Sequence, residues 1–584
     1  MSRETLPAGI SFVASADGIT EYRLTSNSMK VLLIENRVAP VATFLVVYKV
    51  GSRNEAVGHT GATHLLEHMM FKGTPTFNSA TGTQIAATLQ RIGADFNATT
   101  WYDRTNYFET VASDQLELAI KLEADRMRNS LIADSDRQSE MTVVRNELDR
   151  GQNEPSSVLD ETVYATAFIA HPYHHPTIGW RSDVEGVSTD RLKEFYNTFY
   201  HPNNATAVLV GDFDRDHALE LILKYFSAYS SSDVPIPEVY TEEPPQQGDR
   251  RVIVRRAGEL PLVQISFRTP AALGQLNVLS DTELAARAAN PPAENDTYPL
   301  AVLSTALTGG ITSRLYQALV EKQLAVSINS NSDEHRDPGL FSIYATVMPD
   351  VEPETVERRI LKEIKKIAKS GLTKAELSRA KQQILAHVAF GRDGTFNIAM
   401  QISECEAIAD WRYFNQYSSN IERVTAADIK RVASRYLIED GRTVGHFIPK
   451  VSAVDAVSIG VDLPSAPQAL KSTEFGSPSR VSRRGIQFYN EPVDNSERSI
   501  VASSPAASAS GFGIASRVNT FTLRNGATLL VLENKATPTV RIRGSLRAGS
   551  FFAPEGKWGL AQICAGMLER GSNRHTKLEI AERL

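Results

Sequence analysis

His64-Leu65-Leu66-Glu67-His68 puts two imidazoles and a carboxylate on little more than one turn of a candidate helix. The surrounding run, Gly61 to Met70, consists of good helix formers and contains no proline. Residues four apart on a helix share a face, so both imidazoles can reach one cation. Neutral histidine nitrogens suit zinc, and a carboxylate beside them can take a proton from a water that the metal activates. The order His-x-x-Glu-His inverts the more familiar His-Glu-x-x-His spacing. On these five residues alone, a helix with two solvated or core histidines is the competing reading.

A catalytic zinc takes three protein ligands and leaves a fourth position open. Only two cysteines occur, Cys405 and Cys564, which excludes a disulfide framework and a Cys-rich zinc knuckle. The third ligand must then be a histidine or a carboxylate. Downstream acids are Glu109, Asp114, Glu117, Glu123, Asp125, Glu140 and Glu147, and spacing does not choose among them. Glu140 and Glu147 stand out because residues seven apart share one helical face over two turns.

The elements that position these residues recur along the chain. Met29 to Asn36 matches Ala527 to Asn534 at an offset of 498, and the match runs without gaps from Asn27 to about Thr74. Gly51, Gly58, Gly61 and Gly73 fall on Gly549, Gly556, Gly559 and Gly571, but His64, Glu67 and His68 fall on Gln562, Ala565 and Gly566. The second copy keeps the glycines and apolar positions and drops the chemistry. It stops at Leu584, so the chain is expected to be a fragment of a protein of roughly 900 residues.

Between the copies, residues 18–228 open with strand-like segments at Lys30–Glu35 and Ala42–Val50. Phe96–Trp101 and Thr105–Val111 form a candidate hairpin with Asp103-Arg104 at its turn. A proline-rich linker occupies 229–250, and a second αβ unit spans 251–449 with a helical pair at Glu354–Ser370 and Lys374–Ala389. Residues 450–515, rich in Ser, Ala, Pro and Gly, are expected to be a flexible connection, and 516–584 begin the inactive copy.

Composition fits ordinary globular domains: 42% hydrophobic and 22% charged residues. A net charge of −6 argues against a nucleic-acid or anionic-membrane partner. No apolar run approaches the ~18 residues that span a bilayer. The segment Met1 to Pro7 lacks the apolar core of a signal peptide, which makes a cytoplasmic location the default and leaves the periplasm open if the N-terminus is incomplete.

Several segments together carry a resemblance. Gly61 to Thr74, Gly93-Ala94-Asp95-Phe96-Asn97-Ala98-Thr99-Thr100, Leu122 to Met127, Glu140 to Leu148, Tyr200 to Ala205 and Val210 to Phe213 resemble the pitrilysin, insulysin and mitochondrial processing peptidase family, the inverzincins. The resemblance implies an α+β fold of repeated αβ-roll units, here two complete units and the start of a third. It implies a zinc-dependent endopeptidase with one Zn2+ per chain, held by His64, His68 and Glu147, with Glu67 as general base and Glu140 as a supporting acid. Asn97 and Ala98 match family positions near the backbone of a peptide substrate, which would bind as an added edge strand. Asn97 as a strand-end residue satisfying local backbone groups is the plainer alternative.

The family's similar His-Pro-Tyr loop binds no metal, so His171, His174 and His175 are set aside as ligands. Gly309-Gly310 is expected at a helix N-terminus rather than in a phosphate cradle. One departure bears on activity: where many relatives supply a transition-state arginine and tyrosine, this chain has Val320 and Val326. A missing C-terminal half or a partner chain is expected to close the chamber. The alternative reading is a non-catalytic or partner-dependent scaffold subunit of the same fold.

Overall fold

The computed structural model describes residues 6–272, 295–450, 517–533, 539–557 and 559–583. The connection expected at 450–515 lies outside the described residues, Lys450 apart.

The first unit is a seven-stranded sheet. Its strands are β1 (Ile10–Ala16), β2 (Ile19–Leu24), β3 (Lys30–Glu35), β4 (Val41–Tyr48), β5 (Asp95–Thr100), β6 (Thr105–Ala112) and β7 (Ala205–Gly211), in the spatial order β1-β2-β3-β7-β4-β6-β5. The sheet therefore begins at Ile10, ahead of the expected start at 18. β4 and β7 are apolar runs buried along nearly their whole length, as central strands covered on both faces must be. β5 is an edge, joined only to β6 across the turn at 101–104.

The helices that matter for the site are α1 (Ala62–Met69), α2 (Ile85–Arg91), α3 (Leu116–Asn129), α4 (Asp134–Gln152) and α5 (Pro155–Ala167). α4 carries Asp134 and Asp136 in its first turn and Arg150 in its last, charges that suit the helix dipole. α5 opens on a proline, whose missing N–H costs nothing at a first helical position.

The second unit repeats the plan with β8 (Arg250–Arg256), β9 (Leu262–Arg268), β10 (Ala325–Ser332), β11 (Leu340–Val347) and β12 (Arg442–Pro449), ordered β10-β11-β9-β12-β8. Its helical pair spans Pro353–Ser370 and Lys374–Gly391, and Thr373 and Glu376 form a reciprocal capping box at the second start. Gly309 closes helix Thr297–Thr308 and a short helical stretch begins at Arg314, so the Gly-Gly pair sits between one helix C-terminus and the helix N-terminus expected after it.

Each unit lends the other a helix. Helix Thr395–Ile408 of the second unit covers the outer face of the first sheet, where Ala399, Ile402 and Trp411 pack with Leu45, Val47, Val208 and Val210. In return, α5 lies on the second sheet, with Val158, Leu159 and Val163 against Val254 and Phe447. The approach at β12 demands a glycine: a Cβ on Gly445 would lie 2.5 Å from Val163 and 2.9 Å from Leu159. Polar groups lock the exchange. Lys30 Nζ donates to Glu406 Oε2 at 2.9 Å and to Asp410 Oδ2 at 3.2 Å, all three side chains buried.

The sequence repeat has a structural counterpart. Helix Leu560–Met567 begins and ends at an offset of 498 from α1, and strand Thr528–Leu532 stands at the same offset from Lys30–Ile34. No helix among the described residues is long and apolar enough to cross a membrane.

Candidate metal centre

α1 is gripped at its start. Gly61 has φ +83°, and a Cβ there would meet the Ile178 carbonyl oxygen at 2.4 Å, so only glycine fits. The buried Glu55 carboxylate accepts the Gly61 and Thr63 amides, each at 2.7 Å, satisfying two N–H groups that a helix start otherwise leaves open. Thr60 Oγ1 donates to Asp183 at 2.9 Å. Leu65, Leu66 and Met69 face the core, which turns His64, Glu67 and His68 toward α4 and β5.

Across from α1, Glu147 on α4 places Oε2 at 3.6 Å from both His64 Nε2 and His68 Nε2. His64, His68 and Glu147 each offer a donor atom within 4.8 Å of the others, the one such group among the described residues. These separations are too long for hydrogen bonds. They are close to the roughly 3.3–3.5 Å between neighbouring ligands of a tetrahedral zinc with bonds near 2.0–2.1 Å. Burial, reinforced by His68, drives the His64 pKa down to about 3 and keeps the ring neutral, with one nitrogen free to bind a metal. Two imidazoles, a carboxylate and a half-exposed fourth side formed around Glu147 fit a catalytic zinc site.

Glu140, two turns earlier on the same face of α4, accepts from His68 Nδ1 at 3.0 Å and also pairs with Lys72. Burial opposes its charge, but Lys72 and His68 hold its carboxyl below the usual range. Bonding Nδ1 to a carboxylate fixes the ring and leaves Nε2 for a metal. Glu67 turns the other way and accepts the Thr100 hydroxyl at 2.5 Å. Burial raises its pKa above the ordinary carboxylate value, and the Thr100 hydroxyl opposes that shift.

The remaining acids go elsewhere. Glu109 and Glu123 enclose Arg126 in the core, where all three side chains are fully buried. Asp125 accepts from Thr74 and Asn129, Glu117 from Lys224, and Asp114 is exposed. The histidine-dense loop also splits up: His171 Nε2 meets Asp337 at 3.0 Å, while His174 and His175 bond backbone carbonyls.

Asn97 and Ala98 lie on the edge strand β5. Trp101 N–H bonds Arg104 C=O across the turn, so alternation leaves the backbone groups of Thr100 and Ala98 on the open side. Asn97 Oδ1 accepts the Ala98 N–H at 3.0 Å. Val326 is on β10, about half exposed, and Val320 ends a helical turn at Tyr316–Val320.

Two contributors had no mark in the local spacing. Glu55 lies outside the motif and acts through backbone amides. Thr100 ends the segment Gly93–Thr100, and only the burial of Ala98, two residues earlier on the same face of β5, shows that it faces α1.

Residues 30–180 match the family model described as insulinase (peptidase family M16), and residues 186–384 match that described as the peptidase M16 inactive domain. The chain belongs to the M16 peptidase family. The first match contains α1, β5 and α4, hence every residue of the candidate centre. The M16 chain is 29% identical over 395 residues to the zinc protease PqqE of Helicobacter pylori, covering 67% of this chain and 84% of the relative. It is 28% identical over 394 residues to an uncharacterized zinc protease of Streptomyces coelicolor, covering 67% and 82%. The crystal structure of a protease from Helicobacter pylori superposes with a TM-score of 0.66 at 26% identity, covering 75% of this chain and 99% of that one. The first half of the periplasmic protease PqqL from Escherichia coli shares the fold, with a TM-score of 0.58 at 15% identity over 78% of this chain and all of that one.

Proposed function

We propose that the chain is a zinc-dependent endopeptidase acting on peptides or unfolded polypeptide segments. The observation that carries this reading is the convergence of His64, His68 and one Glu147 oxygen within 4.8 Å, with the Glu67 carboxylate on the same helix. His64, His68 and Glu147 would hold the metal, with Glu140 orienting His68. When bound, zinc would acidify a water molecule and polarise the scissile carbonyl. Glu67 takes the proton from the attacking water and returns it to the leaving amine. Thr100 orients the Glu67 carboxylate. The peptide pairs with the open edge of β5 beside Asn97 and Ala98, gaining main-chain hydrogen bonds with little demand on sequence.

Metal analysis combined with hydrolysis of quenched unstructured peptides tests this. One zinc per chain is expected in both wild type and Glu67→Gln, with turnover in the variant reduced about 100-fold or more. Near wild-type turnover in Glu67→Gln would refute the role of Glu67, and stoichiometric zinc retained by Glu147→Ala would remove Glu147 from the ligand set.

Val320 and Val326 favour a second reading, in which the centre needs a C-terminal half or a partner chain to complete transition-state stabilisation. A zinc-loaded chain that cleaves slowly alone and faster when completed would select it.

A further inference from the structure

Successive side chains of a strand leave opposite faces of its sheet. On β5, Ala98 and Thr100 face α1, since Ala98 is buried in the main core and Thr100 reaches Glu67. Thr99 and Trp101 face the other way, toward the second unit. There Arg104 donates to the Thr99 carbonyl and hydroxyl at 2.9 and 2.5 Å, and its Nε donates at 2.9 Å to Glu404 of helix Thr395–Ile408. A peptide added along β5 alternates in the same way. Every second side chain of the peptide is then delivered to this second face, away from the metal.

A cavity of about 200 Å3 opens on that face, lined by Trp101, Arg104, Asp333, Glu334, His335 and Glu404 among others. Four carboxylates line it, Asp103 included, against the one guanidinium of Arg104. Asp333 is held by the Tyr164 hydroxyl, and Glu334 by Tyr413 and Tyr417 at 3.0 and 3.4 Å, so both are fixed in place. Glu404 is different: both Arg104 contacts fall on Oε1, and the side chain is 42% exposed, which leaves Oε2 open to a guest. His335 is only 5% exposed, yet its Nε2 has no hydrogen-bond partner among the described residues. Carboxylates flank its ring on both sides, Asp103 at 3.6 Å from Nδ1 and Asp333 at 3.9 Å from Nε2. Trp101 adds a half-exposed indole face.

A free carboxylate oxygen, further carboxylates around the cavity and an indole together match a cation with several N–H donors on an apolar stem. Resting on the peptidase reading above, we propose that this cavity between the β5–β6 turn and β10 is a specificity pocket for a lysine or arginine side chain of the bound peptide. Glu404 is its selecting residue and Trp101 packs on the aliphatic stem. The pocket draws on both units, which gives the non-metal unit a part in choosing the substrate.

Matched peptides differing only by Lys or Arg against norleucine, at each position around the scissile bond, test the assignment with the zinc-loaded chain. One position is expected to favour the basic residue in kcat/KM, on the order of tenfold. In Glu404→Gln that ratio falls to one or below, because Arg104 is left without its counter-charge, and in Trp101→Ala it shrinks. The ratio is read within each variant, so a partly unfolded preparation lowers both rates and leaves it unchanged. Cleavage without a basic preference, an acidic preference in the wild type, or a basic preference that Glu404→Gln leaves intact would each overturn the pocket while the peptidase reading stands. Zinc-loaded chain that hydrolyses none of the peptides would overturn both.

Discussion

His68 Nδ1 and Glu140 Oε2 are 3.0 Å apart, and this contact turns the other histidine nitrogen toward Glu147. A carboxylate behind a ligand imidazole sets its tautomer and basicity, and its loss typically weakens metal binding about 10–100-fold. Glu140→Ala is expected to fall in that range by chelator competition, and Glu140→Gln, which keeps an acceptor, to lose less. Unchanged zinc affinity in Glu140→Ala would show that the contact does not govern the centre.

Glu55 should matter through stability as well as geometry. Burial pushes its pKa up to about 8, yet its two oxygens still receive the Gly61 and Thr63 amides. Glu55→Ala strands both donors at the start of α1 and is expected to cost about 2–4 kcal/mol in denaturant unfolding. A loss within experimental error would mean water replaces the carboxylate.

Lys30 joins the two units through Glu406 and Asp410. Burial alone would strip its charge, but the two carboxylates hold its pKa above the ordinary lysine value. Lys30→Met leaves acids uncompensated in the interior and should destabilise by about 3–5 kcal/mol. Adding Glu406→Gln and Asp410→Asn should recover part of this, as chemical denaturation of the single and combined variants would reveal.

The exchanged helix α5 depends on Gly445. Gly445→Ala forces a methyl against Val163 and Leu159, with an expected cost of about 1–3 kcal/mol. Shortening Val163 to alanine in the same chain should relieve part of it, and additive losses would indicate that backbone rather than side-chain contact limits the site.

Acid should weaken the second unit through Glu357. Burial would raise its pKa, but hydrogen bonds from His446 and Arg251 bring it down from 4.5 to about 2. The folded form therefore binds fewer protons across that window. The stabilisation is complete above pH 4.5 and is lost as pH falls toward 2. Melting temperatures measured from pH 6 down to 3 should drop more steeply for wild type than for Glu357→Gln.

The sequence by itself determined the chemistry-bearing turn, the repeat in which Gln562, Ala565 and Gly566 stand at the motif positions, and the strands that begin the first unit. His64, Glu67 and His68 are read from the period of one helix, and β3 and the helix that starts at Lys374 from equally local patterns. Glu147 was singled out by resemblance, not by spacing, because a helix's own periodicity says nothing about which other helix lies across from it. The tertiary structure supplies the physical ground that spacing lacked: burial commits Glu109 and Glu123 to Arg126 and leaves Glu147 facing the histidines. Tertiary packing likewise decided that Ile402 covers Val47 while Val163 crosses to Phe447. Such pairings join residues hundreds of positions apart, and they are fixed by which apolar faces bury one another once the chain has closed, an outcome no local window of sequence records.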